Sequence, residues 1–156
     1  MEPIVDITSD DEAQDTWLLL VQTRDVLFNA RRKELDKYHI SIGQASMLFA
    51  IVSFGEGVIP ARLSPWVFRK PNTVSEIIKR MEKDGLVTTS KDLDKKNLVR
   101  VKLTNKGRQL YRLASKRESI HSIMSALSKE ELQLLRSILK KLRNSATREL
   151  QTPDNK

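Results

Sequence analysis

The sequence predicts a mainly α-helical fold interrupted by one β-hairpin. Three observations carry that expectation. Apolar residues recur at steps of three and four along most of the 156 residues. Three of these stretches open on a Ser with Glu or Gln three positions later, the reciprocal pattern that caps a helix N-terminus. One pair of segments, 86–90 and 99–103, leaves the helical period for β-prone or alternating residues.

Ser9 with Glu12 is the first capping pair, and the helix it opens is expected to run to about Tyr38. Trp17, Leu20, Val21, Leu27, Phe28 and Leu35 give that helix an apolar stripe in need of a partner surface. Ser41 with Gln44 is the second pair. Ile42, Ala45, Leu48, Phe49 and Val52 follow at helical steps until Gly55-Glu56-Gly57 stops them. Pro60 suits a first helical position. Pro65 has no N–H to give a helix interior, so 60–68 is expected to be broken, with Ser64 capping a new turn. Pro71 opens a helix in which Val74, Ile77, Ile78 and Met81 form one buried stripe, and Gly85 fits the left-handed position that ends it. Segment 86–90 is β-prone, 91–97 is a polar turn, and Val99-Arg100-Val101-Lys102-Leu103 alternates apolar and basic residues. Together they make a hairpin with a basic tip and outer face. Thr104 caps a helix expected over 105–126. Ser128 with Glu131, the third pair, opens a last helix carrying Leu132, Leu135, Ile138, Leu139 and Leu142. The polar tail from Gln151 is expected to fray.

Composition sets the class. Hydrophobic residues are 39% and charged residues 31%, a mix that suits a globular chain and not a disordered one. No apolar run approaches the roughly 20 residues that span a bilayer. No basic segment followed by an apolar stretch opens the chain, so neither membrane association nor a secretory leader is expected, and the protein is placed in the cytoplasm. The absence of cysteine excludes disulfides, thiolate metal sites, iron–sulfur clusters and thiol redox switching. His39 and His121 are the only histidines and stand far apart. No metal site and no cofactor is therefore expected. Phosphate-cradling and nucleophile motifs are missing and the carboxylates show no acid–base pairing, so the chain is not expected to be an enzyme.

The net charge of +8 is concentrated. Residues 62–117 hold 16 Lys and Arg against 5 Asp and Glu, while the rest of the chain holds 12 against 15. A concentrated basic segment is the footprint of a polyanion partner, usually nucleic acid. Residues 1–16 are the reverse, with Glu2, Asp6, Asp10, Asp11, Glu12 and Asp15 and no base, and would repel DNA locally.

A helix, a short turn, a second helix with small polar residues at its start, then a basic hairpin is the order of a winged helix-turn-helix. The second helix of such a unit puts its N-terminal side chains into the major groove, and its N–H groups favour phosphate. On this reading Asn72, Thr73 and Ser75 meet base edges, and Glu76 is an acceptor for cytosine. Arg69, Lys70, Lys79 and Arg80 bind phosphate or guanine. Lys91, Lys95, Lys96 and Arg100 contact the DNA backbone or minor groove, with Lys95, Lys96 or Asn97 at the wing tip. A plain amphipathic surface helix would explain the Val74 stripe equally well, but not the basic hairpin that follows at once.

The sequence resembles the MarR family of winged helix-turn-helix regulators. The resemblance rests on Asn72-Thr73-Val74-Ser75, on Ile78-Lys79-Arg80-Met81-Glu82-Lys83-Asp84-Gly85-Leu86-Val87, on Asp92-Leu93-Asp94-Lys95-Lys96 and on Val101-Lys102-Leu103-Thr104-Asn105-Lys106-Gly107, with Gln44 and Leu48 before them. The sequence also departs from the pattern, the distance from Asp94 to Thr104 being one residue longer than the commonest version. Thr89 occupies a place where the family commonly has arginine, Lys95 and Lys96 replace wing arginines, and Leu63-Ser64-Pro65-Trp66 interrupts a normally regular helix.

The resemblance implies a symmetric homodimer whose first and last two helices interleave, bound to double-stranded DNA at an inverted repeat with recognition helices about 34 Å apart. It implies a repressor, released in many members by a small aromatic or phenolic effector between the dimer helices and the DNA lobe. Trp17, Arg24, Phe28 and His39 are candidates to line such a site, and the same spacing also fits core residues. The apolar stripes at both chain ends agree with a dimer, or else bury each other within one subunit. The corresponding division is 1–40 as tail and dimerisation helix, 41–104 as the DNA-binding lobe, 105–150 as dimerisation helices and 151–156 as tail. The alternative function is a winged-helix module that binds RNA or a protein partner.

Overall fold

The computed structural model describes residues 9–67, 70–91 and 98–151. Along them run α1 (Glu12–Asp36), α2 (Ile42–Phe54), α3 (Pro60–Trp66), α4 (Pro71–Lys83), β1 (Val87–Lys91), β2 (Val99–Leu103), α5 (Asn105–Ala114), α6 (Glu118–Met124) and α7 (Lys129–Glu149). The chain divides into two units, Met1–Arg117 and Glu118–Lys156. None of these helices is long and apolar enough to cross a membrane.

In the first unit, α1 begins later than the Ser9 pattern suggests. Asp11 is the N-cap, and its carboxylate accepts the N–H groups of Ala13 and Gln14 at 2.9 and 3.1 Å. Ser9 turns instead to Asp15, giving it its N–H and, at 2.8 Å, its hydroxyl. A charged acceptor at the positive end of a long helix outcompetes a hydroxyl for the cap. The helix stops at Asp36, before Tyr38, and His39 then takes a left-handed φ of 55°. In α2 both bonds of the Ser41–Gln44 capping box form, and Gly55 at φ 90° ends the helix.

The segment around Pro65 corrects the expectation of a break. α3 is one continuous helix with Pro65 inside it, and Ser64 is a buried residue of that helix, not the cap of a new turn. The proline removes only the bond that would reach back to Ala61. Val67 closes the end by donating its N–H to the Leu63 carbonyl at 3.0 Å.

Each element of the first unit gives the core at least one side chain. Leu35 comes from α1, Met47, Leu48 and Ile51 from α2, Leu63 from α3, Val74 and Met81 from α4, Val87 and Val101 from the strands. Burying each of these stabilises the fold by about 1.5–3 kcal/mol. The strands pair antiparallel in the register Val87↔Leu103 to Lys91↔Val99, so Val87, Val101 and Leu103 face the core. Val58 adds a one-residue bridge to Val101: Gly57 donates to the Val101 carbonyl at 2.9 Å and Val101 to the Val58 carbonyl at 3.0 Å. A further lock lies at Gly107, where a Cβ would sit 2.0 Å from the Leu86 carbonyl oxygen. Only glycine lets α5 pass this close to the strand entry.

The single helix expected over 105–126 is two. α5 ends at Ala114, and Arg117 adopts a left-handed φ of 54° before α6 begins. No Gly or Pro marks this break; the Arg117 guanidinium lies over the Phe49 ring at 4.9 Å, a contact 68 positions distant that no local pattern records.

In the second unit, Ser128 and Glu131 close the third capping box as expected. The hydrogen bonds from the Ser128 N–H and then its side chain hold the Glu131 carboxyl below its ordinary value. No residue of α7 is buried. Leu132, Ile138, Leu139 and Leu142 are exposed, and a groove of about 670 Å³ runs along Met124, Leu132, Leu135 and Leu139 with Arg136 and Lys140 on its rim. In the first unit the opening half of α1 is likewise bare, with Trp17 65% exposed.

Candidate nucleic-acid interface

The site grows from α4. Pro71 occupies its first turn, where a missing N–H costs nothing, and Lys70 precedes it in extended conformation without a side-chain cap. The N–H groups of Asn72 and Thr73 are thus left without a side-chain acceptor, and the first turn holds no acidic residue. α1 and α7 are built the opposite way, each with two carboxylates in the first turn. The start of α4 is therefore suited to receive an anion.

Val74, Ile78 and Met81 are buried beneath α4, with half-buried Ile77 beside them. At roughly 100° per residue this turns Asn72, Glu76, Lys79 and Lys83 outward, flanked by Thr73, Ser75 and Arg80. All seven are exposed. The Ser75 hydroxyl donates to the Pro71 carbonyl at 3.1 Å, which leaves it an acceptor toward a ligand. Lys79 pairs with Glu76 at 3.0 Å, both side chains more than half exposed. An ion pair that open is worth about 0–1 kcal/mol and yields readily to phosphate or a base edge.

The far end of α4 is pinned on three sides. Gly85 takes φ 70°, Leu86 donates to the Met81 carbonyl at 2.8 Å and Gly85 to the Glu82 carbonyl at 3.0 Å, the paired bonds of a glycine-terminated helix. Gln44, already engaged in the α2 capping box, donates its Nε2 to Asp84 Oδ2 at 2.8 Å. Lys106 gives its Nζ to the Asp84 carbonyl at 2.7 Å. Glu82 Oε1 accepts both the N–H and the hydroxyl of Thr89, at 2.9 and 2.6 Å. The residue at the family's common arginine position thus ties the helix to β1.

The hairpin divides the basic residues. Arg100 and Lys102 share one face with Ser90 and Thr88, while Lys91 falls on the other face, exposed. Arg100 Nη1 donates to the Gly57 carbonyl at 3.0 Å, so this guanidinium also braces the turn after α2. Arg69, Lys95, Lys96 and Asn97 lie outside the described residues. Lys83, four positions after Lys79, lies on the same outward face.

The candidate effector residues are not one cluster. Arg24 lies over the Phe28 ring at 4.7 Å. Trp17 stands near the start of α1 and His39 beyond its end, and the helix from Trp17 to Asp36 alone spans roughly 30 Å at 1.5 Å per residue. His39 instead borders a cleft of about 540 Å³ with Tyr38, Gln44, Asp84, Lys106 and Leu110. Among the described residues no three His, Asp or Glu side chains gather as a metal site would require.

A short helix, an outward-facing polar helix fixed to the core and a two-stranded hairpin, in that order, are the arrangement of a winged helix-turn-helix. The family model of the winged helix DNA-binding domain matches residues 44–107. The organohalide-sensing RdhR transcriptional regulator, solved with 2,4-dichlorophenol bound, shares 28% identity at TM-score 0.81, over 93% of this chain and 89% of that one. A mutant MarR from E. coli complexed with operator DNA has the same fold at 19% identity and TM-score 0.74, over 80% and 90%. So does CouR from Rhodococcus jostii bound to p-coumaroyl-CoA, at 19% identity and TM-score 0.75, over 86% and 95%. No curated protein matches the sequence. The chain carries a winged helix DNA-binding domain and shares the fold of MarR regulators.

Proposed function

We propose that the protein binds double-stranded DNA sequence-specifically, as a homodimer on an inverted repeat, and represses transcription there. The observation that carries this reading is the build of α4: an anion-accepting start, an outward polar face and a far end held by Gln44, Lys106 and Thr89. Asn72, Thr73 and Ser75 read base edges and Glu76 accepts from cytosine. Arg69, Lys70, Lys79 and Arg80 bind phosphate or guanine. Lys91, Lys95, Lys96, Asn97 and Arg100 follow the backbone or minor groove, Arg100 from a position already braced on Gly57. Residues 41–104 act as the DNA lobe, and segments 1–40 and 105–150 as dimerisation helices. The bare apolar faces of α1 and α7 support the dimer.

A small aromatic or phenolic molecule releases the DNA. Two findings support this part: the phenol bound to the organohalide-sensing relative, and a cleft of about 540 Å³ within the first unit, in the size range of small-molecule sites. The protein works in the cytoplasm, where its DNA is.

Selection from random duplex DNA tests the reading. Enrichment of an inverted repeat with half-sites about one helical turn apart is the expected result. Asn72→Ala then loses about 1–3 kcal/mol on the selected duplex and little on random DNA, whereas Lys91→Ala weakens both and lowers the salt slope. Binding without enrichment overturns specificity, and binding only to RNA or to protein overturns the DNA assignment.

A further inference from the structure

α3 is a short helix, and Pro65 denies it one backbone bond near its end. The orientation of that end therefore depends on side chains. Its last residue, Trp66, stacks on Phe49 of α2 with ring centroids 5.4 Å apart and planes 30° apart. On the Phe49 ring rests the guanidinium of Arg117, 4.9 Å from the centroid, within the range of a cation–π contact. Arg117 holds a left-handed backbone, φ 54°, that glycine adopts freely and arginine does not. An unfavourable backbone at a residue whose side chain reaches a specific ring is a sign that the contact fixes the conformation. Trp66 stands five positions before Pro71, where α4 begins, and α3 packs directly on α4.

We propose that Arg117 is a positioning residue for the recognition helix. Its guanidinium clamps Phe49 against Trp66, which sets the end of α3 and through it the entry of α4. The proposal rests on the DNA-binding reading above for its functional consequence, and on Trp66 alone for its structural part. Arg117 touches no DNA in this role, and its effect is on how well the helix is presented.

The test uses the full chain in a Trp17→Phe background, leaving Trp66 as the single indole reporter. Arg117→Lys keeps a cation over the ring. Arg117→Gly removes the cation while relieving the backbone, so a loss in it cannot be charged to misfolding by strain. Expected are a shift of Trp66 emission in Arg117→Gly, little shift in Arg117→Lys, and binding of the selected duplex weakened about three-fold in Arg117→Gly, with random-duplex affinity held. Unchanged Trp66 emission in Arg117→Gly overturns the clamp. A shifted emission with unchanged selected-duplex affinity overturns the positioning role. Should the parent protein select no duplex, the DNA-binding reading falls and the positioning role with it, while the emission still decides the clamp.

Discussion

α4 and α7 have nearly the same sequence design and opposite fates. Each is an amphipathic helix with a stripe of aliphatic residues and a largely basic outer face. The α4 stripe, Val74, Ile78 and Met81, is buried under the chain's own core. The α7 stripe, Leu132, Ile138, Leu139 and Leu142, is exposed along its length. The difference lies in what arrives opposite each helix. Against α4 stand α3, α2 and β1; α7 has no buried residue at all. An amphipathic pattern states that a partner surface is needed, not which chain supplies it. In this molecule the apolar stripe of α4 is covered within its own chain, and that of α7 is not.

The largest effect comes from breaking the close approach of α5 to Leu86, between α4 and β1. Gly107→Ala drives a Cβ to 2.0 Å from the Leu86 carbonyl oxygen. A backbone atom cannot rotate away, so a loss of about 3 kcal/mol or more is expected in denaturant unfolding. A loss below about 1 kcal/mol would mean that the α5–β1 junction gives easily.

Matched truncations sharpen the contrast directly. Met81→Ala, fully buried in α4, costs about 2–5 kcal/mol at any protein concentration. Leu139→Ala, 43% exposed in α7, leaves the dissociated chain within about 0.5 kcal/mol of the parent. Its cost shows in sedimentation equilibrium, as a weaker association. Equal losses for the two variants under dissociating conditions would show that α7 is completed within its own chain.

A smaller effect separates β1 from α4. Thr89→Val removes the hydroxyl that donates to Glu82 at 2.6 Å but keeps the Thr89 N–H bond. The expected loss is about 1 kcal/mol, read by thermal unfolding. An unchanged melting temperature would place the tie between helix and strand in the backbone bond alone.

What the sequence made legible follows the range of the interactions. The Ser41–Gln44 and Ser128–Glu131 boxes were readable because each closes within four residues. The α4 stripe and Gly85 were readable for the same reason. Ser9 misled because Asp11 offers a stronger acceptor two positions on and Asp15 captures the serine. Pro65 misled because a proline near the end of a seven-residue helix removes a single bond. The break at Arg117 was hidden because its cause, the Phe49 ring, is distant in the chain. At the site, the outward face of α4 was readable from periodicity. The engagement of Arg100 with Gly57 was not, since it depends on the fold of the turn after α2.

The smallest effect isolates the α7 cap, and its sign follows from the carboxyl. Glu131 is held below its ordinary value of 4.5 by the Ser128 N–H and then the Ser128 side chain. A carboxyl depressed in the folded state adds stability above its unfolded value, and that contribution fades as pH falls through the folded one. Glu131→Gln can still accept the Ser128 N–H but carries no charge to lose. Between about pH 6 and pH 3, amide exchange at the first turn of α7, taken relative to the intrinsic rate at each pH, should therefore rise in the parent and stay level in the variant. The corresponding turn of α4 has neither a side-chain cap nor an acidic residue, so its exchange should not follow that titration. A parallel rise at α7 in parent and variant would assign the pH response to neighbouring Glu130, acting on the helix dipole, and not to the capping box.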